Sequence, residues 1–236
     1  MGARCGRGAL ILAIAALGLL TPCLAFAHAI GGKDAAFVAS SAGSHIGPFL
    51  YLGAKHMVTG YDHLLFILGV IFFLYRLKHV ALYVTMFSLG HSITLLAGVL
   101  LGWRANSYLI DAIIGLSVAY KAFDNLNGFK ALLGVQPDTR LAVLVFGLFH
   151  GLGLATKLQQ LHLSHRGLAL NLVAFNVGVE LGQLIALSLM LALILWWRRS
   201  KGFARQAVVA NVFILVAGFV LMQEQLAGYV LNKGGV

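Results

Sequence analysis

From residue 61 onward the chain is a succession of long apolar runs separated by short clusters of Lys, Arg and Gly. A helix needs roughly 20 mostly apolar residues to cross a bilayer, and it satisfies its own backbone hydrogen bonds there, so the pattern predicts six transmembrane helices. They fall at 61–75, 80–101, 107–126, 141–158, 168–197 and 203–222. The stretch 28–60 contains Gly, Ser and Pro48 but no run long enough to span, and reads as an external segment with an interfacial helix around Pro48 to Ala54. Ahead of it come Arg4 and Arg7, an apolar run from Ala9 to Leu20, then Ala25-Phe26-Ala27, the successive regions of a cleavable secretory signal peptide. The expected organisation is a signal peptide over 1–27, an external N-terminal segment over 28–60 and a six-helix transmembrane domain over 61–236, making an all-α integral membrane protein.

Composition sharpens this. Hydrophobic residues make up 60% of the chain, charged residues 10%, and the mean hydropathy is +0.91, which excludes a soluble globular domain and a disordered chain. The formal charge of +10 does not point to nucleic acid, because the Lys and Arg residues lie between apolar segments instead of clustering on one face with aromatics. The first, third and fifth connections hold Arg76 and Lys78, Lys130 and Arg140, then Arg198, Arg199, Lys201 and Arg205. The others hold Arg104, Lys157 and Arg166. Positive-inside asymmetry therefore puts the mature N-terminus in the periplasm of a multi-pass bacterial inner-membrane protein. Both cysteines, Cys5 and Cys23, fall in the leader, so a mature chain has neither a disulfide nor a thiolate ligand.

Small residues recur every four positions at Gly147, Gly151 and Ala155, and at Ala174, Gly178, Gly182 and Ala186. Each stripe is a groove for close helix approach, so those two helices are expected to pack tightly.

A few ionisable side chains interrupt the apolar runs. A charged group at the centre of a bilayer costs roughly 2.5–3.5 kcal/mol on insertion scales, so such residues persist where they pair, line a wet cavity or hold an ion. His56, Asp62 and His63 stand at the mouth of the first segment, and His91, His150 and Glu180 inside three others. Gly60 breaks the helix, letting His56 and His63 converge, with Asp62 either ligating or accepting a hydrogen bond that sets a tautomer. His91 sits beside Ser88 and Thr94 at helical spacing. Asn176, Glu180 and Gln183 fall on one polar stripe, and a buried carboxylate needs a cation or proton. Ser117, Lys121 and Asp124 share another helix face, with Lys121 and Asp124 spaced for an ion pair. The depths suggest an outer site of His56, Asp62 and His63 and an inner one of His91, His150 and Glu180, supported by Ser88, Asn176, Gln183 and Asp124. Imidazoles with carboxylates and no thiol favour divalent nickel, cobalt, zinc or iron. His28, His45, His79, His162 and His165 read as surface histidines.

Four motifs carry a resemblance: Gly60-Tyr-Asp-His-Leu-Leu-Phe66, Gly90-His-Ser-Ile-Thr-Leu95, Phe146-Gly-Leu-Phe-His-Gly-Leu-Gly153 and Phe175-Asn-Val-Gly-Val-Glu-Leu-Gly-Gln183. With them the chain resembles the HupE/UreJ family of hydrogenase- and urease-associated membrane proteins over nearly its whole mature length. The family is regarded as nickel or cobalt permeases or accessory proteins, which implies metal supply to a metalloenzyme maturation system. Phe87-Ser-Leu-Gly-His-Ser92 is also similar to a signature of the wider nickel/cobalt permeases. Their other signature sets a His four residues before an Asp-His pair, whereas here five residues separate His56 from Asp62.

The expected function is transport of a divalent metal ion, nickel or cobalt, with the ion and the lipid bilayer as partners and no prosthetic group. No phosphate-binding loop is present, so an ion gradient, the membrane potential or a partner would drive it. The alternatives are a metal-binding accessory protein that hands metal on without moving it across the bilayer, and an intramembrane metalloenzyme with Glu180 as base. The last lacks a His-Glu-x-x-His run, so the chain is not expected to be an enzyme.

Overall fold

The computed structural model describes residues 32–41, 43–74, 77–160 and 166–233. The expected signal peptide, with Arg4, Arg7, Cys5 and Cys23, lies outside them, as do His28, Arg76, His162 and His165. The described residues form α1 (Gly32–Ser40), α2 (Ile46–Thr59), α3 (Tyr61–Ile71), α4 (Leu77–Leu101), α5 (Ser107–Asn125), α6 (Gly128–Leu133), α7 (Thr139–Gln159), α8 (Leu168–Trp197) and α9 (Phe203–Lys233), with no strand among them. Local chemistry marks several ends. Asn106 accepts from Leu109 N–H at 3.2 Å to cap α5, and Asp138 accepts from Arg140 N–H at 2.8 Å to cap α7. Pro48 stands in the first turn of α2, where its missing N–H breaks no helical bond.

Among the described residues, four helices are long and apolar enough to cross a membrane: 78–101, 139–159, 168–197 and 203–232. Their outward faces carry Leu89, Ile93, Val173, Val177, Leu184, Ile185, Val212 and Val216, while His63, His91, His150, Gln183 and Asn211 are enclosed. Apolar outside and polar inside is the arrangement a protein adopts when its solvent is hydrocarbon. The chain is a multi-pass membrane protein.

Three close helix pairs build the bundle, and each depends on glycine. Along α2 and α8, a methyl on Gly53 would overlap the Phe175 carbonyl, and one on Gly178 the Leu50 carbonyl. Along α4 and α7, Gly90 faces Leu144 and Leu148 while Gly147 and Gly151 face the backbone of Phe87 and His91. Along α5 and α9, Gly115 meets Leu221 and Met222, and Gly218 meets Ala119. The two small-residue stripes do mark close packing, each against a different partner: α7 on α4, and α8 on α2. Contact order along each pair shows that α2 and α8 run parallel, as do α4 and α7, whereas α5 and α9 are antiparallel.

The segment 28–60, expected to be external with a helix around Pro48 to Ala54, contains α2, which includes those residues and packs along α8. Gly60, expected to break the helix, does so. At φ −74° and ψ 96° it ends α2 and begins α3, its N–H still bonded to the His56 carbonyl at 2.9 Å. The helical unit therefore starts at Ile46, not near residue 61, and its middle is a bend. Gly43 N–H bonds the Arg166 carbonyl at 3.2 Å, and His45 N–H bonds Asn171 Oδ1 at 2.7 Å, tying the start of α2 to the start of α8. At the other end the Arg198 guanidinium donates to the carbonyls of Leu74, Ile71 and Phe72 at 2.8, 3.1 and 2.6 Å. These are carbonyls that a helix C-terminus leaves without intrahelical partners. α3 runs between the pairs, and Asn125 Nδ2 anchors it through the Gly69 carbonyl at 2.8 Å and reaches Asn211 Oδ1 on α9 at 2.9 Å.

Candidate metal centre

The bend at Gly60 points the end of α2 and the start of α3 at the same place. One potential ligand atom from each of His56, His63 and His91 lies within 4.8 Å of the others, and all three side chains are buried. The His56 and His63 rings are 5.1 Å apart, centroid to centroid, and His63 is 6.0 Å from His91. His150 joins them, its ring 4.8 Å from that of His63. A methyl on Gly60 would stand 3.0 Å from His63 Nδ1 and from the His56 carbonyl, so a larger residue at the bend would make its neighbours in the site give way.

Hydrogen bonding assigns the tautomers. Asp62 Oδ1 accepts from His63 N–H at 2.8 Å and lies 2.9 Å from His63 Nδ1, so with an ionised carboxylate Nδ1 carries the ring proton and Nε2 carries the lone pair. His150 Nδ1 is 2.7 Å from the Phe146 carbonyl, an acceptor only, which again leaves Nε2 as the donor atom toward an electrophile. Both ring nitrogens of His91 are buried with no hydrogen-bond partner among the described residues. A polar atom left this way costs about 1–3 kcal/mol, which an electron-pair acceptor or a water at the ring would offset.

The two sites expected at different depths are thus one cluster. His63 belongs beside His91 and His150 because α2 occupies the level at which the first helix was expected to begin. Asp62, at 2% exposure, orients His63. Glu180 does not join them; it is exposed on α8, on the face that carries Val177, Leu181 and Leu184. At 100° per residue it stands about 40° from Asn176 and about 60° from Gln183, enough to turn it off the buried face that those two amides share. Ser88 Oγ donates to Gln183 Oε1 at 2.6 Å, linking α4 to α8, and Asn176 is buried with neither amide atom hydrogen-bonded among the described residues. Asp124 lies in the last turn of α5, 2.5 Å from Lys121 Nζ and bonded to Gln136, an ion pair as its spacing allowed.

The two sides of the cluster differ. Phe66, Phe87 and Phe146 stand one turn from His63, His91 and His150 respectively, all toward the Arg198 end. Their rings pack together, Phe66 lying 5.3 Å from Phe87 and 5.8 Å from Phe146, and close that side with an aromatic layer. Toward the Arg166 end the neighbours are polar: Lys157 Nζ and Asp111 Oδ2 form an ion pair at 2.6 Å between α7 and α5. Nothing in the sequence singles out Asp111, because a single Asp near the start of an apolar run carries no spacing signal. Of the remaining histidines, His45 packs edge-on against Phe37, and His79 is half-buried in the first turn of α4.

No curated protein and no solved structure matches the chain. The family profile described as HupE / UreJ protein matches residues 32–233, a span that includes every member of the histidine cluster. With that coverage, and with three of the four motifs supplying His63, His91 and His150 to one buried site, the chain belongs to the HupE/UreJ family.

Proposed function

We propose that the protein carries a divalent transition-metal ion, nickel or cobalt, across the bacterial inner membrane, and that His56, His63, His91 and His150 hold the ion midway. The observation that carries this reading is the convergence of His56, His63 and His91, from three helices, to within 4.8 Å inside a membrane bundle. Metal–imidazole bonds of about 2 Å put ligand nitrogens roughly 3–4 Å apart, so the rings reach one ion by closing on it by about an ångström. Neutral imidazoles suit nickel, cobalt and zinc, and the family's association with nickel and cobalt favours the first two. Asp62 supplies the carboxylate that orients His63 and offsets the ion's charge. Glu180 has no part in this site.

Six passes accommodate the pairing directions: α2 with α3 as one broken span, then α4, α5, α7, α8 and α9. Parallel pairs are then the first with the fifth and the second with the fourth, and the antiparallel pair is the third with the sixth, as alternation requires. The end bearing Lys78, Lys130, Arg140, Arg198, Arg199, Lys201 and Arg205 faces the cytoplasm, and residue 28 begins the mature chain in the periplasm.

The test is nickel uptake by proteoliposomes containing the purified protein. His63→Ala and His91→Ala should each abolish uptake while the protein still inserts and elutes as one species. Uptake at the wild-type rate in either variant refutes the assignment. Stoichiometric nickel binding with no flux in the wild type replaces transport with the accessory role, delivery to a metalloenzyme on one side of the membrane.

A further inference from the structure

The ion pair on the polar side of the cluster is placed to do more than join two helices. Lys157 lies seven residues beyond His150 on α7, about 10 Å along the helix axis. Beside it Thr156, Gln159 and Gln160, with Arg104 and Ala105, line an open hollow of about 360 Å³ at the Arg166 end. Seven residues put Lys157 on the same face of α7 as His150, and the hollow opens at the same end of the bundle as the pair. Lys157 and Asp111 side chains are 19% and 11% exposed, so the pair is nearly enclosed. The charge of Lys157 acts on His56, Asp62 and His63, and that of Asp62 on Asp111, so pair and cluster share one electrostatic neighbourhood. Asp111 is only half satisfied: Oδ2 holds the ammonium, while Oδ1 is buried with no hydrogen-bond partner among the described residues. Gly153 lies beside it: a methyl there would stand 3.6 Å from Oδ1 and press against Ile110 and Ile114 at 3.0 and 3.3 Å.

We propose that Asp111 is a second cation-binding carboxylate, an entry station for a divalent ion, with Lys157 Nζ occupying the place the ion takes. This rests on the metal-carrying reading of the histidine cluster. An arriving ion displaces the ammonium, engages both carboxylate oxygens, and passes to the imidazoles. Oxygen donors hold nickel or cobalt less tightly than several nitrogens do, so the station captures the ion and still releases it inward. With the ion absent, the tethered ammonium neutralises Asp111 and keeps an isolated carboxylate out of a low-dielectric wall. The aromatic layer of Phe66, Phe87 and Phe146 closes the opposite side, which leaves the Asp111 side as the polar approach.

The experiment measures the association rate of Co²⁺ alone with the purified full chain in detergent, followed by the metal's visible absorption. Asp111→Asn should slow association about tenfold, the low end of what a focusing charge contributes, while the number of ions bound stays the same. The neutral double variant D111N/K157Q should be as slow as D111N, and Lys157→Gln alone no slower than wild type. Wild-type rates in D111N, or recovery of the wild-type rate in the double variant, overturn the proposal, because recovery is what a purely structural ion pair predicts. His63→Ala separates the two readings: if Co²⁺ binding survives that change unaltered, the histidine centre itself fails. A wild-type rate in D111N removes only the entry station.

Discussion

Replacing Asp62 by Asn keeps the shape of the side chain and removes its charge. In the structure one oxygen, Oδ1, receives the His63 backbone N–H at 2.8 Å and stands 2.9 Å from His63 Nδ1. A hydrogen bond to a charged partner contributes about 1.5–3 kcal/mol and a neutral one about 0.5–1.5, so each of these two bonds weakens by roughly 1–2 kcal/mol. The backbone bond weakens in apo and metal-bound protein alike. The ring bond strengthens when Nε2 donates to an ion, so its loss falls on metal affinity. Carboxylate partners of ligating histidines are generally worth ten- to a hundredfold in affinity, about 1.4–2.7 kcal/mol, in agreement with the loss of one charged bond. D62N should therefore weaken nickel binding to the purified protein by roughly ten- to a hundredfold in a calorimetric titration, with the number of ions bound unchanged. An affinity within twofold of wild type would refute the claim that Asp62 orients His63. A loss of binding as complete as in His63→Ala would instead make Asp62 a direct ligand.

Two further outcomes test the packing and the corrected site. Gly178→Ala forces a methyl onto the Leu50 carbonyl, so α2 and α8 must separate; it should destabilise the detergent-solubilised protein by about 1–3 kcal/mol in a thermal scan. Gly47→Ala, where nothing lies within 4 Å, is the control and should be neutral or slightly stabilising. Glu180→Gln should leave nickel affinity unchanged, since the side chain is exposed on the outer face of α8; a tenfold loss would return Glu180 to the metal site.

The linear order of residues determined the helical class, the long apolar spans of α4, α7, α8 and α9, the break at Gly60, the chemistry available to a site and the two stripes of close approach. These are local properties: apolar length, a residue lacking Cβ, ligand type and four-residue spacing act within a few turns of one helix. The depth of each residue and the partner of each face were decided only in three dimensions. Residues 46–59 are too short to span alone, but α3 continues them across a bend, and that puts His63 beside His91 and His150 instead of at a separate entrance. Asn176, Glu180 and Gln183 share a stripe by spacing, but a rotation of about 40–60° separates a buried amide from an exposed carboxylate, and the packing of α2 against Gly178 and Gly182 sets that rotation. Asp111 and Lys157 lie 46 residues apart, on helices whose contact no local pattern encodes. Convergence of side chains from separate helices is a property of how the faces interlock, and interlocking depends on all the faces at once.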